Sequence, residues 1–297
     1  MTWATGSAPE LLWPGLHAIW GDNYKDWDPA WEKIFSKETT KLAFDKEQGL
    51  TGLGLASIKG QGAAITYQDP FQGFQKEYVQ ATYAMGTSVT AEMVFHEQYN
   101  YINKLPRMLA RSMRHTEETI MWNHINNATS TSFTGADGLS LSNAAHLLVN
   151  GSTYRNQPST ASDLTQAALE QAFIDISDWN DDQGLRINIK PVWLIVSTAD
   201  RFNAERILET KYAVGSADND INPMEGKLKL LVVPWITDTD QWTVVTDVDN
   251  GLKSLWAWES KLERDGDFNS KNLMMTCDMR FASGWTDPHC VYISAGA

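Results

Sequence analysis

The chain is poor in cysteine and has no long hydrophobic run. Its 297 residues include two cysteines, Cys277 and Cys290, and without a second pair of ligands nearby these do not form a zinc motif, so we expect both to remain thiols. No run approaches the roughly 20 apolar residues of a membrane span, and residues 1–13 lack the basic-then-apolar order of a signal peptide. These absences predict synthesis and retention in the cytoplasm.

Short catalytic motifs are also missing from the sequence. It contains neither a P-loop nor GxGxxG, GxSxG or HExxH, and its six histidines are scattered. Three pairs of aspartates offer oxygen ligands for a hard cation: Asp218/Asp220, Asp238/Asp240 and Asp247/Asp249. The remaining spaced ligands of a calcium loop are absent, and such pairs are typical of turns. The sequence therefore predicts no enzyme activity, no cofactor and no metal site.

Positive charge is scarce: 24 Lys and Arg stand against 37 Asp and Glu, for a net charge of −13. A dedicated nucleic-acid binder needs clustered cations to displace counterions, so this balance argues against that class. A protein that merely encloses nucleic acid is different, because an acidic wall does not adhere to its contents. At 42% hydrophobic residues, the chain is expected to fold, with enough length for about two domains.

One basic cluster stands out against this background. Its members are spaced by three, four and three residues, with no acid between Glu97 and Glu117. The cluster consists of Lys104, Arg107, Arg111 and Arg114. That spacing places all four on one helix face. Three roles stay open: phosphate contacts, pairing with acids of another subunit, or a solvated face with a local Arg114–Glu118 pair.

The first 48 residues are rich in tryptophan but show little periodicity. Five of the thirteen tryptophans lie there. We expect an N-terminal arm that buries large aromatics against neighbouring subunits, because soluble monomers rarely expose so much apolar area. The residues predicted to make these contacts are Trp13, Trp20, Trp27 and Trp31. The alternative is that they belong to the core of their own chain.

Residues 49–88 are predicted to form an extended hairpin. Seven glycines lie between Gly49 and Gly86, and two alternating segments flank the turn-like stretch 69–74. A ribbon of this length is marginal unless a third surface supports it. We expect Phe71 and Phe74 to contact such a surface, which belongs either to another subunit or, as the alternative, to the domain of their own chain.

The remainder of the chain mixes helices and strands without a repeating βαβ order. Two helices are predicted in 90–128, the second starting at Pro106 and burying the row Leu109, Met113, Met121 and Ile125. A further helix is predicted over 162–179, and strands over 192–196, 228–233, 242–245, 252–262 and 273–281. Asp265–Gly266 is a strong turn signal between the last two strands. This order indicates an α+β fold.

Four segments, taken in order, resemble the major capsid proteins of tailed phages, with the nearest likeness to the Mu-like major head subunit group. They are Gly135–Leu139, the Ile189–Ser197 strand, Ala199–Met224 and Phe281–Pro288. The resemblance extends over most of the chain from about Gly49. At one point the sequence departs from such relatives: Leu147 follows His146 where they have proline, which affects the local loop geometry.

The resemblance implies a Hong Kong 97-type capsid fold with four parts. Residues 1–48 correspond to an N-terminal arm and 49–88 to the extended hairpin loop. Residues 89–130 and 251–288 correspond to a peripheral domain with a long spine helix. Residues 131–250 and 289–297 correspond to an axial domain.

The function that the resemblance implies is structural. The chain is expected to assemble with itself into hexamers and pentamers of an icosahedral shell around double-stranded phage DNA, bound non-specifically. Portal and scaffold proteins, and possibly decoration proteins, are the expected partners, and the virion is the expected location. Lys59 and Lys76 lie in the hairpin, but nothing else matches a cross-linking arrangement. The alternatives are an encapsulin-like compartment shell and, more remotely, a carbohydrate-binding protein that uses exposed tryptophans.

Overall fold

The structure, a computed structural model, describes residues 8–90, 92–93, 96, 99–212, 221–266 and 272–297. Its helices are α1 (Ala8–Lys25), α2 (Tyr99–Ile102), α3 (Lys104–Asn126), α4 (Gln166–Ser177) and α5 (Arg201–Glu209). Its strands are β1 (Ser36–Thr39), β2 (Phe44–Leu50), β3 (Gln72–Val79), β4 (Ala81–Val89), β5 (His146–Leu147), β6 (Thr153–Tyr154), β7 (Pro191–Val196), β8 (Lys229–Val232), β9 (Trp242–Thr246), β10 (Leu252–Gly266), β11 (Leu273–Trp285) and β12 (Val291–Ser294). This composition confirms the α+β class.

A long antiparallel pair, β10 and β11, is the centre of the first sheet, whose strand order is β1-β10-β11-β4. In β11, alternate residues from Leu273 to Phe281 are buried, as the sequence pattern predicted. Helix α3 packs on this buried face. The turn predicted at Asp265–Gly266 continues into residues outside the described part of the chain.

Helix α3 is the long helix predicted after Pro106. It begins at Lys104, so Pro106 lies in its first turn, where a missing N–H costs no helical hydrogen bond. The predicted apolar row is buried along its whole length: Leu109, Met113, Met121 and Ile125. The short α2 precedes it, and much of the first helix that was predicted before it lies outside the described residues.

The second four-stranded sheet has the order β12-β9-β7-β8. Strands β7, β8 and β9 coincide with predicted strands, whereas β12 was not predicted. Helices α4 and α5 share a buried cluster with this sheet. Thr165 caps α4 by accepting a hydrogen bond from the Ala168 backbone N–H, 3.1 Å away. The Asn222 amide donates to the carbonyls of Ile207 and Thr210, so the chain that follows α5 is tied back onto that helix.

The hairpin differs from the predicted one in its turn and its partner strands. Strand β2 pairs with β3, and residues 51–71 connect them. The strand character predicted over 78–85 is confirmed, but the predicted pairing within the hairpin is wrong, since β4 pairs with β11 in the body sheet. Gln80 makes this transfer: its N–H donates to the Ala43 carbonyl, and its side chain donates to the Leu255 carbonyl.

The N-terminal segment was predicted to be an arm with little periodicity, but it contains a helix with one buried face. Leu16, Trp20 and Tyr24 recur every fourth residue of α1 and are 0%, 6% and 9% exposed, which is the pattern of a helix packed on a core. That surface is α3. Within the part of the chain that the structure describes, no helix is long and apolar enough to cross a membrane.

Two of the four tryptophans predicted to contact neighbours are therefore corrected. Trp20 and Trp31 are buried in the core of their own chain. The Trp31 ring lies 5.8 Å from that of Trp256, which in turn stacks on Phe281 at 4.5 Å. A side chain with no exposed surface in the isolated subunit has none left for a partner.

His124 is a titratable group inside this core. It lies on α3, its Nε2 is 2.8 Å from the Ser283 hydroxyl, and the Trp285 ring is 5.6 Å away. Burial, and after it the positive charge of Lys76, lowers the pKa of His124 to about 4. The folded chain therefore holds a neutral imidazole in a range where an unfolded chain is protonated.

Replacing Trp31 by alanine should lower the free energy of unfolding of the subunit by about 3–5 kcal/mol, because a large buried side chain is lost and a cavity remains. Phe71→Ala is the matched control: Phe71 is 66% exposed, and its loss should change that free energy by no more than ~0.5 kcal/mol. Denaturant unfolding followed by circular dichroism measures both. Similar stabilities for the two variants would contradict the core position of Trp31.

Between pH 6.5 and pH 4, the free energy of unfolding of the wild-type chain should decrease by more than that of the His124→Gln variant. Because the folded pKa lies below the unfolded one, the unfolded state binds more protons in this window, and stability decreases as the pH falls. The shift to about 4 corresponds to an additional loss of about 3 kcal/mol in the wild type. Unfolding curves of both chains at pH 7 and pH 4 test this. Equal losses would show that His124 is not held neutral.

Candidate functional site

Large exposed apolar side chains are concentrated at the end of the hairpin. Between residues 50 and 71, seven large hydrophobic side chains are 57–101% exposed. They are Leu50, Leu53, Leu55, Ile58, Ile65, Tyr67 and Phe71. A concentration of this kind marks an interaction surface, because isolated soluble proteins seldom expose it.

The connecting segment, residues 51–71, is closed at its neck and open beyond it. At the neck, the Thr51 N–H donates to the Phe71 carbonyl at 3.0 Å, and the Phe71 N–H donates to the Thr51 hydroxyl at 2.8 Å. Further out, the Gly54 N–H donates to the Gln68 side chain, and Ala63 N–H to the Gly60 carbonyl closes a turn. No helix or strand is formed over 51–71. The segment therefore presents its apolar side chains from a defined neck.

Four of the aromatic residues predicted at interfaces keep some exposed surface. Phe71 lies at the neck, whereas Phe74 is half-buried on the face of β3 that is turned towards the body. Trp13 and Trp27 are half-buried. The Arg264 guanidinium lies 5.4 Å from the Trp13 ring, and the His115 ring meets Trp27 edge-on at 4.8 Å. Contact of these residues with another subunit stays a prediction.

Of the predicted basic cluster, Lys104, Arg107 and Arg111 are exposed on α3. Arg114 does not belong with them, and its side chain is only 12% exposed. It donates from Nη1 to Glu117 Oε2 at 2.8 Å and from Nε to the Tyr24 carbonyl at 3.0 Å. The local pair predicted with Glu118 is therefore wrong, because the partner is the acid one position earlier.

Two buried acids on α3 bind the N-terminal segment. Glu117 accepts a hydrogen bond from the Tyr24 hydroxyl at 2.5 Å. Glu118 accepts from the Ala30 N–H and from the Trp122 indole, both at 2.7 Å. Burial raises the pKa of both carboxyls, against the opposing effect of these donors. The available sequence signal was the position of Glu117, which lies between Met113 and Met121 in the row of residues spaced by four that is otherwise apolar.

A second buried polar centre is formed by Asp137 and His146. Asp137 Oδ2 lies 2.6 Å from His146 Nδ1, and the Leu139 N–H donates to Asp137 Oδ1 at 3.1 Å. Burial opposes ionisation, but these hydrogen bonds lower the pKa of Asp137. Leu147, the residue that replaces proline, pairs with Thr153 in the short β5–β6 ladder.

Two segments that carry the sequence resemblance meet here. A side chain at Gly135 would come within 2.7 Å of the Trp285 indole, so glycine permits the close approach. Tyr154 stacks on His289 at 3.9 Å, and His289 Nδ1 lies 2.7 Å from Asp287 Oδ1. Gly135–Leu139 and Phe281–Pro288 are therefore packed against each other in the body.

The paired aspartates organise backbone where the structure describes them. Asp238 accepts a hydrogen bond from the Asp240 N–H at 3.2 Å, and Asp247 accepts one from the Lys190 N–H at 2.7 Å. Asp218 and Asp220 lie outside the described residues. Among those described, no group of three or more His, Cys, Asp or Glu side chains is arranged to hold a metal ion.

The comparisons with known proteins agree on one kind of assembly. The model of a family described as "phage capsid protein" matches residues 74–294. No curated protein matches the chain closely enough to count as a relative. The sequence match therefore begins at Phe74, after the connecting segment of the hairpin.

Solved structures show the same fold at low sequence identity. A chain of the Bacteriophage JBD30 capsid has a TM-score of 0.60 at 10% identity, covering 71% of this chain and 92% of that chain. A chain from Microbacterium phage Oxtober96 has a TM-score of 0.57 at 9% identity, with 90% of each chain covered. A chain from the capsid of an empty GTA particle has a TM-score of 0.56 at 12% identity, covering 91% and 90%. The fold is thus of the Hong Kong 97 type.

Substituting Arg114 by methionine should destabilise the subunit by about 3–5 kcal/mol, because the buried Glu117 loses its cation. Arg111→Met is the matched control on the exposed face of the same helix and should change stability by no more than ~0.5 kcal/mol. Thermal and denaturant unfolding of the two variants measure the difference. If Arg114→Met were as stable as the control, the Arg114–Glu117 pair would contribute nothing to holding the N-terminal segment.

Proposed function

Because the chain belongs to the phage capsid protein family, we propose that its hairpin joins copies of this structural subunit into the closed shell of a tailed-phage head. The chain is a capsid subunit, a component of the virion that assembles with itself. The hairpin makes the contacts between subunits, and the shell is an icosahedral arrangement of hexamers and pentamers around double-stranded DNA.

The observation that carries the proposal is the exposed apolar segment 51–71. Within one subunit, six large side chains of this segment and the adjoining Leu50 are not covered, and Ile58 is 101% exposed. Removing such area from water on assembly is favourable by about 25 cal/mol per Å². A surface of another copy supplies the support that a two-stranded ribbon lacks on its own. Contacts of this head-to-tail kind form a closed shell when their geometry repeats around symmetry axes.

The body divides naturally along its two sheets. We assign residues 89–130 and 251–288, which include α3 and the β10–β11 pair, to a peripheral domain. Residues 131–250 and 289–297, which include the second sheet with α4 and α5, form an axial domain. Residues 1–48 are assigned to the N-terminal element, of which 8–35 pack on the peripheral part and β2 already belongs to the hairpin. We assign residues 49–88 to the extended loop. Within this range the chain leaves the hairpin at Gln80, and β4 then pairs with β11 in the body sheet.

The expected partners follow from the role of a head subunit. DNA contact would be to phosphate and non-specific, through Lys104, Arg107 and Arg111, because the net charge of −13 disfavours a dedicated binder. Portal, scaffold and possibly decoration proteins complete the head, and synthesis takes place in the host cytoplasm. Within the capsid family we place the chain nearest the Mu-like major head subunits, on the order of the four segments described above.

The two rival functions have less support. None of the tryptophans whose side chains the structure describes is fully exposed, so the stacking platforms of a carbohydrate-binding protein are missing from that part of the chain. An encapsulin-like compartment shell uses the same fold. The match to a phage capsid family favours the phage head over it.

Making the hairpin end polar should abolish assembly and leave the subunit folded. In the double variant Leu55→Asn/Ile58→Asn, the apolar area that a second copy would cover is lost, while both positions are exposed in the subunit. Negative-stain images and size-exclusion profiles of wild type and variant measure particle yield, and circular dichroism verifies folding. Leu42→Asn, an exposed position outside the hairpin strands, is the control. Normal particles from the double variant would contradict the proposal.

A further inference from the structure

The hairpin leaves the body at a single polar junction. One face of the ribbon is turned towards the body: in β2 the odd-numbered residues are half-buried, and in β3 Phe74 and Lys76 are half-buried and Tyr78 is buried. Glu47 and Lys76 are directly opposed across the ribbon, and Asp45 is opposed to Tyr78. The other face carries an exposed cross-strand pair, Lys46 with Glu77 at 3.3 Å. The ribbon therefore has one anchored face and one solvated face.

A buried lysine of the body binds the anchored face. Lys253 lies in β10 and is 6% exposed. Its Nζ is 2.7 Å from Glu47 Oε1 in the hairpin and 3.4 Å from Glu38 Oε1 in the N-terminal segment. A lysine this deeply buried requires its partners, because a desolvated ammonium without a counter-charge is costly.

The second oxygen of Glu47 continues the network into β11 and back to β3. The Thr286 hydroxyl donates to Glu47 Oε2 at 2.7 Å, and the Tyr78 hydroxyl lies 2.7 Å from the Thr286 hydroxyl. The Tyr78 ring, 2% exposed, packs on Leu255 and Ala282. Gly284 leaves room for it, since a Cβ there would lie 3.0 Å from the ring.

Lys76 adds a third attachment on the same face. Its ammonium donates to the Thr134 carbonyl and lies 5.6 Å from the Trp285 ring. Glu47, Lys76 and Tyr78 thus contact three different parts of the body: β10, the 134–140 turn, and the end of β11. Three attachments that do not lie on one line fix a rigid ribbon in direction as well as in position.

Beyond this junction, the ribbon and the body line a common cavity of about 620 Å³. Gly49 and Phe74 of the hairpin and Asp137 and Asp181 of the body lie on its walls. The connecting segment approaches the body at Gly52, where an added Cβ would lie 3.5 Å from Asp181 Oδ2. The ion pair and the hydrogen bonds described above lie at the junction, which is therefore the part of the molecule that we take to set the angle of the hairpin.

We propose that the network of Lys253, Glu47, Thr286 and Tyr78 aims the hairpin, so that these are positioning residues for the contact between subunits. The inference rests on the proposed function, because the direction of the hairpin matters only if its end reaches another copy. It assigns to Lys253 a role in the geometry of assembly that goes beyond the stability of the subunit.

The test measures the direction of the hairpin in unassembled, full-length subunits. Cysteines introduced at Ser57, in the connecting segment, and at Thr119, on α3, are both exposed, whereas Cys277 and Cys290 are buried, so spin labels attach selectively. Double electron–electron resonance then gives the distance distribution between the two labels. We expect one narrow distribution for the wild type and a broad one for Lys253→Met/Glu47→Gln, which removes both charges together. The same variant, without labels, should lose about tenfold in particle yield.

The control is Lys46→Met/Glu77→Gln, which removes an ion pair of the same ribbon on its solvated face. It should keep the narrow distribution and the normal yield. Circular dichroism establishes that both variants are folded, and Lys253→Arg, which retains the charge, should restore wild-type behaviour. A narrow distribution in a folded Lys253→Met/Glu47→Gln variant overturns the proposal, as does normal yield despite a broad distribution. A wild type with a narrow distribution that forms no particles would instead count against the proposed function alone.

Discussion

The burial of Glu117 and Glu118 on α3 is the constraint on which the subunit depends. Two adjacent carboxylates inside a hydrophobic core are stable only if donors reach them, and the donors come from the N-terminal segment: the Tyr24 hydroxyl and the Ala30 N–H. Arg114 supplies the counter-charge at 2.8 Å. The hydrogen bonds of Tyr24 and Ala30 therefore bind residues 8–35 to the long helix, and Trp20 and Trp31 of the same segment lie in the core.

The hairpin differs from the rest of the chain in where its large apolar side chains lie. The body buries most of its apolar residues in two clusters: the larger draws on both four-stranded sheets and α3, and the second lies between the β12-β9-β7-β8 sheet and helices α4 and α5. The hairpin does the opposite and presents large apolar side chains to water at its end, while polar residues attach its base. Stability and assembly are thus separated in the molecule: the body folds by its own contacts, and the apolar area at the end of the hairpin remains for another copy.

Local patterns in the sequence predicted those elements whose periodicity is strict. Alternation from Leu273 to Phe281 identified β11, and the row from Leu109 to Ile125 identified α3, because one face of each is buried continuously. The phage capsid resemblance predicted the fold. Periodicity failed in α1, where Leu16, Trp20 and Tyr24 do recur every fourth residue but large aromatics and Pro14 obscure the pattern. It also failed at the hairpin, because a glycine-rich sequence specifies register weakly. Arg114 was misplaced since spacing gives a helix face but not the tertiary partner, and its carbonyl acceptor is 90 positions away.

Hydrogen exchange, compared between free subunits and assembled shells, tests the central claim most directly. Amide protection reports whether a segment is held within one chain or only between chains. The account predicts that residues 8–35 are protected to the same degree in both states, and that residues 51–71 exchange rapidly in the free subunit and become protected in the shell. Rapid exchange of 8–35 in free subunits, or equal exchange of 51–71 in both states, would contradict it.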